Sequence, residues 1–186
     1  MPAAAHLPHV WTRGEYERLI ASGGLHPESR VELVDGEILD MAPQESLHAT
    51  GVRLAEEAMR SAFGRGFDVR TQLPLAIDGH SEPEPDIAVV TGTPRDYRDA
   101  HPTTAVLVIE VADSSLDFDR TRKRSLYARN AIPEYWILNL VDAVLEVHRE
   151  PAGGDYARRT VLGASERITP LRAADARGIA VADVLP

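Results

Sequence analysis

Apolar and polar positions change period several times along the chain, and each change marks an element. TRGEYERLIAS (residues 12–22) carries Tyr16, Leu19 and Ile20 at helical spacing. Thr12 and Glu15 stand in the capping-box arrangement, and Gly23-Gly24 stops the helix. RVELVDGEILDM (residues 30–41) surrounds Asp35-Gly36, a two-residue turn signal, and predicts a β-hairpin. ESLHATGVRLAEEAMRSAF (residues 45–63) returns to the helical period through Val52, Leu54, Ala55, Ala58, Met59 and Ala62, with Gly64 as its end. Extended segments follow. FDVRTQLPLAI (residues 67–77) predicts a strand in which Pro74 signals an edge or a bulge. DIAVVTG (residues 86–92) is entered from the stiff SEPEP, and AVLVIEVA (residues 105–112) is the best candidate for a buried strand. Residues 115–130 are helical in pattern, with Asp113, Ser114 or Ser115 as the cap. EYWILNL (residues 134–140) and AVLEVHRE (residues 143–150) predict two strands across a short turn. Beyond Gly153-Gly154 the pattern weakens. YARRTVL suggests one more strand, and ITPL and GIAVADVLP form either an edge strand or a packed turn.

This order predicts one mixed sheet with helices against it, an α+β or α/β-like fold. No repeat, low-complexity tract or linker divides the chain, and 186 residues suit a single domain with a core of its own. The first eleven or so residues and the last thirty or so are expected to be peripheral.

Composition narrows the chemistry. Without cysteine there is no disulfide framework, zinc-thiolate site or thiol nucleophile. No apolar run approaches the ~20 residues of a membrane span. MPAAAHLPHVW lacks the basic start and apolar core of a signal peptide, so the expectation is a soluble cytoplasmic protein that does not bind membranes. The net charge of -9 argues against a general polyanion binder. One segment is nevertheless locally basic: Arg120, Arg122, Lys123, Arg124 and Arg129 stand against Asp117 and Asp119, which makes Arg120, Arg122 and Arg124 candidates for nucleic-acid contact. Of the 20 basic residues, 19 are arginine and Lys123 is the single lysine.

Glu110 is the charge that most needs explaining, because it lies inside AVLVIEVA. Strand alternation puts Val108, Glu110 and Ala112 on one face and Leu107, Ile109 and Val111 on the other. Its bland partner would be an arginine such as Arg120 or Arg122. Asp86 opens a neighbouring strand after Pro85, so the two acids could meet at one sheet edge and would then repel unless a proton or a cation lay between them. Carboxylates of this kind suit Mg²⁺ or Mn²⁺. Lys123 and Tyr127, four apart, share a helix face that could pack over Ala112. An ammonium there would act as a compact point charge toward a phosphate or a water.

Taken in order, ELVDGEI (residues 32–38), His48, PDIAVV (residues 85–90), IEVADSS, Lys123, Tyr127 and PEYWIL (residues 133–138) resemble the Uma-type restriction endonuclease family of the PD-(D/E)XK nuclease superfamily. The resemblance covers roughly residues 12–150. It departs from the simple superfamily motif at Ala112, where the lysine would stand, and finds it displaced to Lys123. It implies a restriction-endonuclease-like core and a Mg²⁺- or Mn²⁺-dependent endonuclease that hydrolyses phosphodiester bonds in DNA. By position, Asp86 and Glu110 would hold the metal, Lys123 would orient water and stabilise charge on phosphate, and Glu32 would complete the catalytic set. His48 and Tyr127 would support it, and a homodimer is implied; Gln72, outside the resemblance, could also line the site. The rival is a non-catalytic nucleic-acid or protein interaction module that retains the fold, needing only the basic surface around Arg120 to Arg129. A glycosidase could also use two acids, but aromatic residues are only 5% of the chain and leave few platforms for sugar.

Overall fold

In the computed structural model, which describes residues 7–26, 28–173 and 178–186, Thr12 caps the first helix, α1 (Arg13–Ala21). Its hydroxyl accepts the Glu15 N–H at 3.3 Å while the Glu15 carboxylate accepts the Thr12 N–H at 2.9 Å, so two otherwise orphaned donors are satisfied together. The hairpin follows as β1 (Val31–Val34) and β2 (Glu37–Asp40). Its tip uses positive φ at both Asp35 and Gly36, the geometry that DG turns favour. Helix α2 (Ser46–Phe63) leads to β3 (Phe67–Thr71), β4 (Ile87–Thr91) and β5 (Leu107–Ala112). A helical crossover of α3 (Leu116–Phe118), a π-helical turn (Asp119–Lys123) and α4 (Arg124–Arg129) returns the chain to β6 (Glu134–Asn139), β7 (Val144–Ala152) and β8 (Asp155–Leu162). Two short strands, β9 (Arg167–Ile168) and β10 (Ile179–Ala180), pair near the C-terminus.

Strands β3 to β8 form one six-stranded sheet in sequence order. Only β5 and β6 run parallel, and that pair is the one joined by the helical crossover. This is the α+β arrangement that the element order predicts. Alternation in β5 sorts the core as expected. Leu107, Ile109 and Val111 pack with Val52, Ala55, Met59 and Phe63 of α2 on one face. Val108 and Ala112 pack with Leu126, Tyr127 and the hairpin's Val34 on the other, the face that carries Glu110.

Three segments differ from the sequence pattern. The strand expected over residues 67–77 ends at Thr71, because Gln72 turns to φ 52° and Pro74 follows; Leu75 and Ala76 instead bond Pro83 and Pro102. Residues 115–130 are not one α-helix, since a wider turn interrupts it. The tail forms the small β9–β10 pair, and Ile179, Val181 and Val184 are buried in the α2-side core. The expectation for the N-terminal segment falls partly on residues 1–6, outside those described. No helix among the described residues is long and apolar enough to cross a membrane.

Candidate active site

The β4–β5 register places Ile87 opposite Ile109, so Asp86 and Glu110 meet at the end of the paired segment. The Asp86 N–H donates to Glu110 Oε2 at 3.2 Å. The Asp86 carboxylate reaches back: Oδ2 accepts the Val111 N–H at 2.8 Å. Oδ1 accepts Gln72 Nε2 at 3.0 Å and lies 3.2 Å from His48 Nε2. His48 comes from the first turns of α2, which lies close to the sheet at Gly51. A Cβ there would stand 3.1 Å from Val111 Cγ1 and 3.4 Å from Leu138 Cδ2, so glycine permits the approach.

Lys123 answers Glu110 from the other face. It is 4% exposed, and its Nζ lies 2.6 Å from Glu32 Oε2 and 3.2 Å from Glu110 Oε1. Tyr127, one turn on, donates to the same Glu110 Oε1 at 2.7 Å. Glu32 is fixed in turn by the Glu84 N–H at 3.1 Å. Glu110 thus pairs with the lysine and not with Arg120 or Arg122. Ala112 is fully buried in the cluster that holds Leu126 and Tyr127, and this packing leaves no space for a lysine on the strand.

These groups border a cleft of about 1020 Å³. Eight acidic side chains, those of Glu32, Asp40, Glu45, Glu84, Asp86, Glu110, Asp113 and Asp119, line it with one buried ammonium and the guanidinium groups of Arg30 and Arg122. Burial, opposed by Lys123 and reinforced by neighbouring carboxylates, pushes Glu110 up to about 8. Burial also pushes Asp119 up to about 6 and raises Glu84, with Glu32 adding to the latter. Asp86 is the exception. Burial pushes it up, but His48, the Val111 N–H and Gln72 outweigh that and hold it below its usual range. The Asp86 bond raises His48 against the effect of burial. Burial lowers Lys123, but Glu110, Glu32 and Asp119 outweigh it and keep the ammonium charged. Burial, then Glu110, holds Tyr127 well above its ordinary value, as a donor.

The donor set has the chemistry of a hard-cation site: carboxylate oxygens in excess over positive charge. No group of three or more His, Asp or Glu side chains among the described residues stands at metal-binding geometry. Glu110 Oε2 and Asp86 Oδ2 each accept one hydrogen bond and keep capacity for another partner. The residues therefore fit Mg²⁺ or Mn²⁺ in kind, with Asp86 and Glu110 best placed.

Of the residues singled out in the sequence, Glu32, His48, Gln72, Asp86, Glu110, Lys123 and Tyr127 converge. Arg122 lines the cleft mouth but is bonded to Glu37 at 2.8 Å. Arg120 and Arg124 do not line it. Arg120 pairs with Glu146, and Arg124 lies 3.0 Å from Asp155. Of the cleft carboxylates that escaped sequence reasoning, two carried a spacing signal. Glu84 lies two residues before Asp86, the strand spacing for a shared face. Asp119 lies four before Lys123, the helix spacing for a shared face. Ser115 Oγ donates to Asp119 Oδ2 at 2.6 Å.

Comparison with known proteins adds an independent line. A family model, Uma2, described as "Putative restriction endonuclease", matches residues 13–182. Among solved structures, a putative nuclease belonging to DUF820 from Anabaena variabilis superposes with a TM-score of 0.74 at 16% sequence identity, over 94% of this chain and 97% of that one. At such identity the likeness establishes the fold. No curated protein matches the chain.

Proposed function

Because this chain belongs to the Uma2 family, described as "Putative restriction endonuclease", and has the restriction-endonuclease-like fold, we propose that it is a Mg²⁺- or Mn²⁺-dependent endonuclease acting on phosphodiester bonds of DNA. The observation that carries the proposal is the convergence of Lys123, from a helix, on the carboxylates at the β4–β5 edge. Asp86 and Glu110 would hold the cation. When bound, it would lower the pKa of water and stabilise charge that develops on the phosphate.

The remaining groups have roles set by their contacts. Lys123 stays protonated, so it serves as a fixed positive charge toward a phosphate oxygen or an orienting donor to the attacking water, and not as the base. Glu32 anchors the ammonium beside Glu110, and Tyr127 fixes the Glu110 carboxylate. Gln72 and His48 orient Asp86 through Oδ1. Two copies of the chain would offer two sites to one duplex, a reading that sedimentation of the purified protein checks.

A nicking assay on supercoiled plasmid with Mn²⁺ or Mg²⁺ tests the activity, with calorimetric titration of each ion beside it. Wild type should bind the ion and cut, while Asp86→Ala should do neither and Lys123→Ala should bind but not cut. An ion-binding protein that cuts neither DNA nor RNA would favour the interaction module. That reading has its own support, since Asp86 and Glu110 already accept bonds from protein donors.

A further inference from the structure

We infer that Tyr135, on β6, is a positioning residue for Lys123, acting through the π-helical turn that carries the lysine. This rests on the endonuclease reading for its catalytic consequence but not for its structural one. The π turn spans Asp119–Lys123, and in it the Arg124 N–H reaches back to the Asp119 carbonyl, five residues away. Such turns are rare, and they occur mostly as single turns inside α-helices, frequently at functional sites. This one has a second support from outside the helix: the buried Tyr135 hydroxyl donates to the same Asp119 carbonyl at 3.1 Å.

The extra residue matters because of what the helix must present. Asp119, Lys123 and Tyr127 all face the sheet, and Lys123 and Tyr127 converge on one oxygen of Glu110. In an unbroken α-helix each residue turns the next by about 100°. Relaxing the π turn to the α form would shift the register of Lys123 against Tyr127 and Glu110. The ring of Tyr135 is itself held by Tyr127, His148 and Tyr156, with centroids at 5.0, 5.7 and 6.2 Å, so the hydroxyl is aimed by a rigid stack.

Tyr156 supplies a matched control. It is buried in the same stack and its hydroxyl donates to the Ile132 carbonyl at 2.9 Å, away from the π turn. Tyr135→Phe and Tyr156→Phe each remove one buried hydroxyl and keep the ring. Lys123 is the only lysine, so protein grown on isotope-labelled lysine gives a single side-chain signal in NMR. Tyr135→Phe should move or broaden that signal, and Tyr156→Phe should leave it in place at a similar loss of thermal midpoint. In the plasmid assay with Mn²⁺, Tyr135→Phe should lower kcat roughly tenfold or more with KM unchanged, as misplacement of a catalytic group does. An unmoved lysine signal in Tyr135→Phe, or equal movement in both variants, would overturn the inference. If wild type does not cut plasmid, the function fails and the lysine signal alone decides whether Tyr135 positions Lys123.

Discussion

Lys123 illustrates how one buried charge depends on its partners. Its ammonium is enclosed by Glu32 and Glu110, and removing it leaves two buried carboxylates facing each other. Lys123→Ala should cost about 3–5 kcal/mol of stability, measured by urea unfolding at about pH 8. The loss should shrink near pH 6, because Glu110, pushed up to about 8, is protonated there even beside Lys123 and has less charge to leave unpaired. Glu110 itself was legible as a charge in an apolar strand, and Lys123 as the one lysine at the matching helix position. Glu84 and Asp119 were not legible. Glu84 reads as part of a stiff proline spacer, and Asp119 reads as a counter-charge to neighbouring arginines. Only the fold reveals that both are turned inward. Together the raised acids set a pH dependence. Burial is the first cause for Glu110, pushed up to about 8, Glu82, to about 7, and Asp119, to about 6. A folded acid with raised pKa holds a proton that the unfolded chain has released, so its stability contribution falls as pH rises from the unfolded to the folded value. His48, also raised, loses its contribution in the same direction. His148 opposes them, because burial lowers it to about 4. With more groups on the first side, the thermal midpoint without divalent ions should be lower at about pH 8 than at about pH 6. A midpoint that rises between these values would contradict the burial of these acids.

At the scale of elements, most of the architecture was legible because period and punctuation agree. The DG turn, the Thr12–Glu15 cap and the alternation of β5 each appear where the pattern puts them. The π turn was not, since a single wide turn leaves an apolar stripe within the tolerance of a 3.6-residue period. The end of β3 was missed because a left-handed glutamine is a tertiary choice, stabilised here by bonds from Gln72 to the Asp86 carbonyl and carboxylate. Helix α2 offers the sharpest test of how an element delivers a side chain. Gly51→Leu would force it away from Val111 and Leu138, costing about 1–3 kcal/mol. It would also part His48 from Asp86. The His48 pKa, followed by NMR, should then fall toward its ordinary value, and an unchanged pKa would show that the helix seats His48 by other means.

The whole molecule presents an electrostatic problem to any nucleic acid. The chain is acidic overall, its cleft is lined by eight acidic side chains, and Arg120, Arg122 and Arg124 are engaged by Glu146, Glu37 and Asp155. DNA should therefore bind weakly without divalent ions and measurably with about 10 mM Mg²⁺. Its affinity should fall gently with salt, with a logarithmic slope shallower than about −5, because acidic side chains outnumber Arg30, Arg122 and Lys123 in the cleft. Fluorescence anisotropy with a labelled duplex measures both, and tight, steeply salt-sensitive binding in chelator would point to a basic surface other than this cleft. The lone lysine has a last consequence, for how the chain meets a protease. An enzyme that cuts only after lysine has one target, the Lys123–Arg124 bond, and that lysine lies inside the fold. The native chain should survive such a protease, and each opening of the crossover should yield the same two fragments. Cleavage rate then counts openings of the region that holds the site, slowing about tenfold for every 1.4 kcal/mol by which a bound ion closes it.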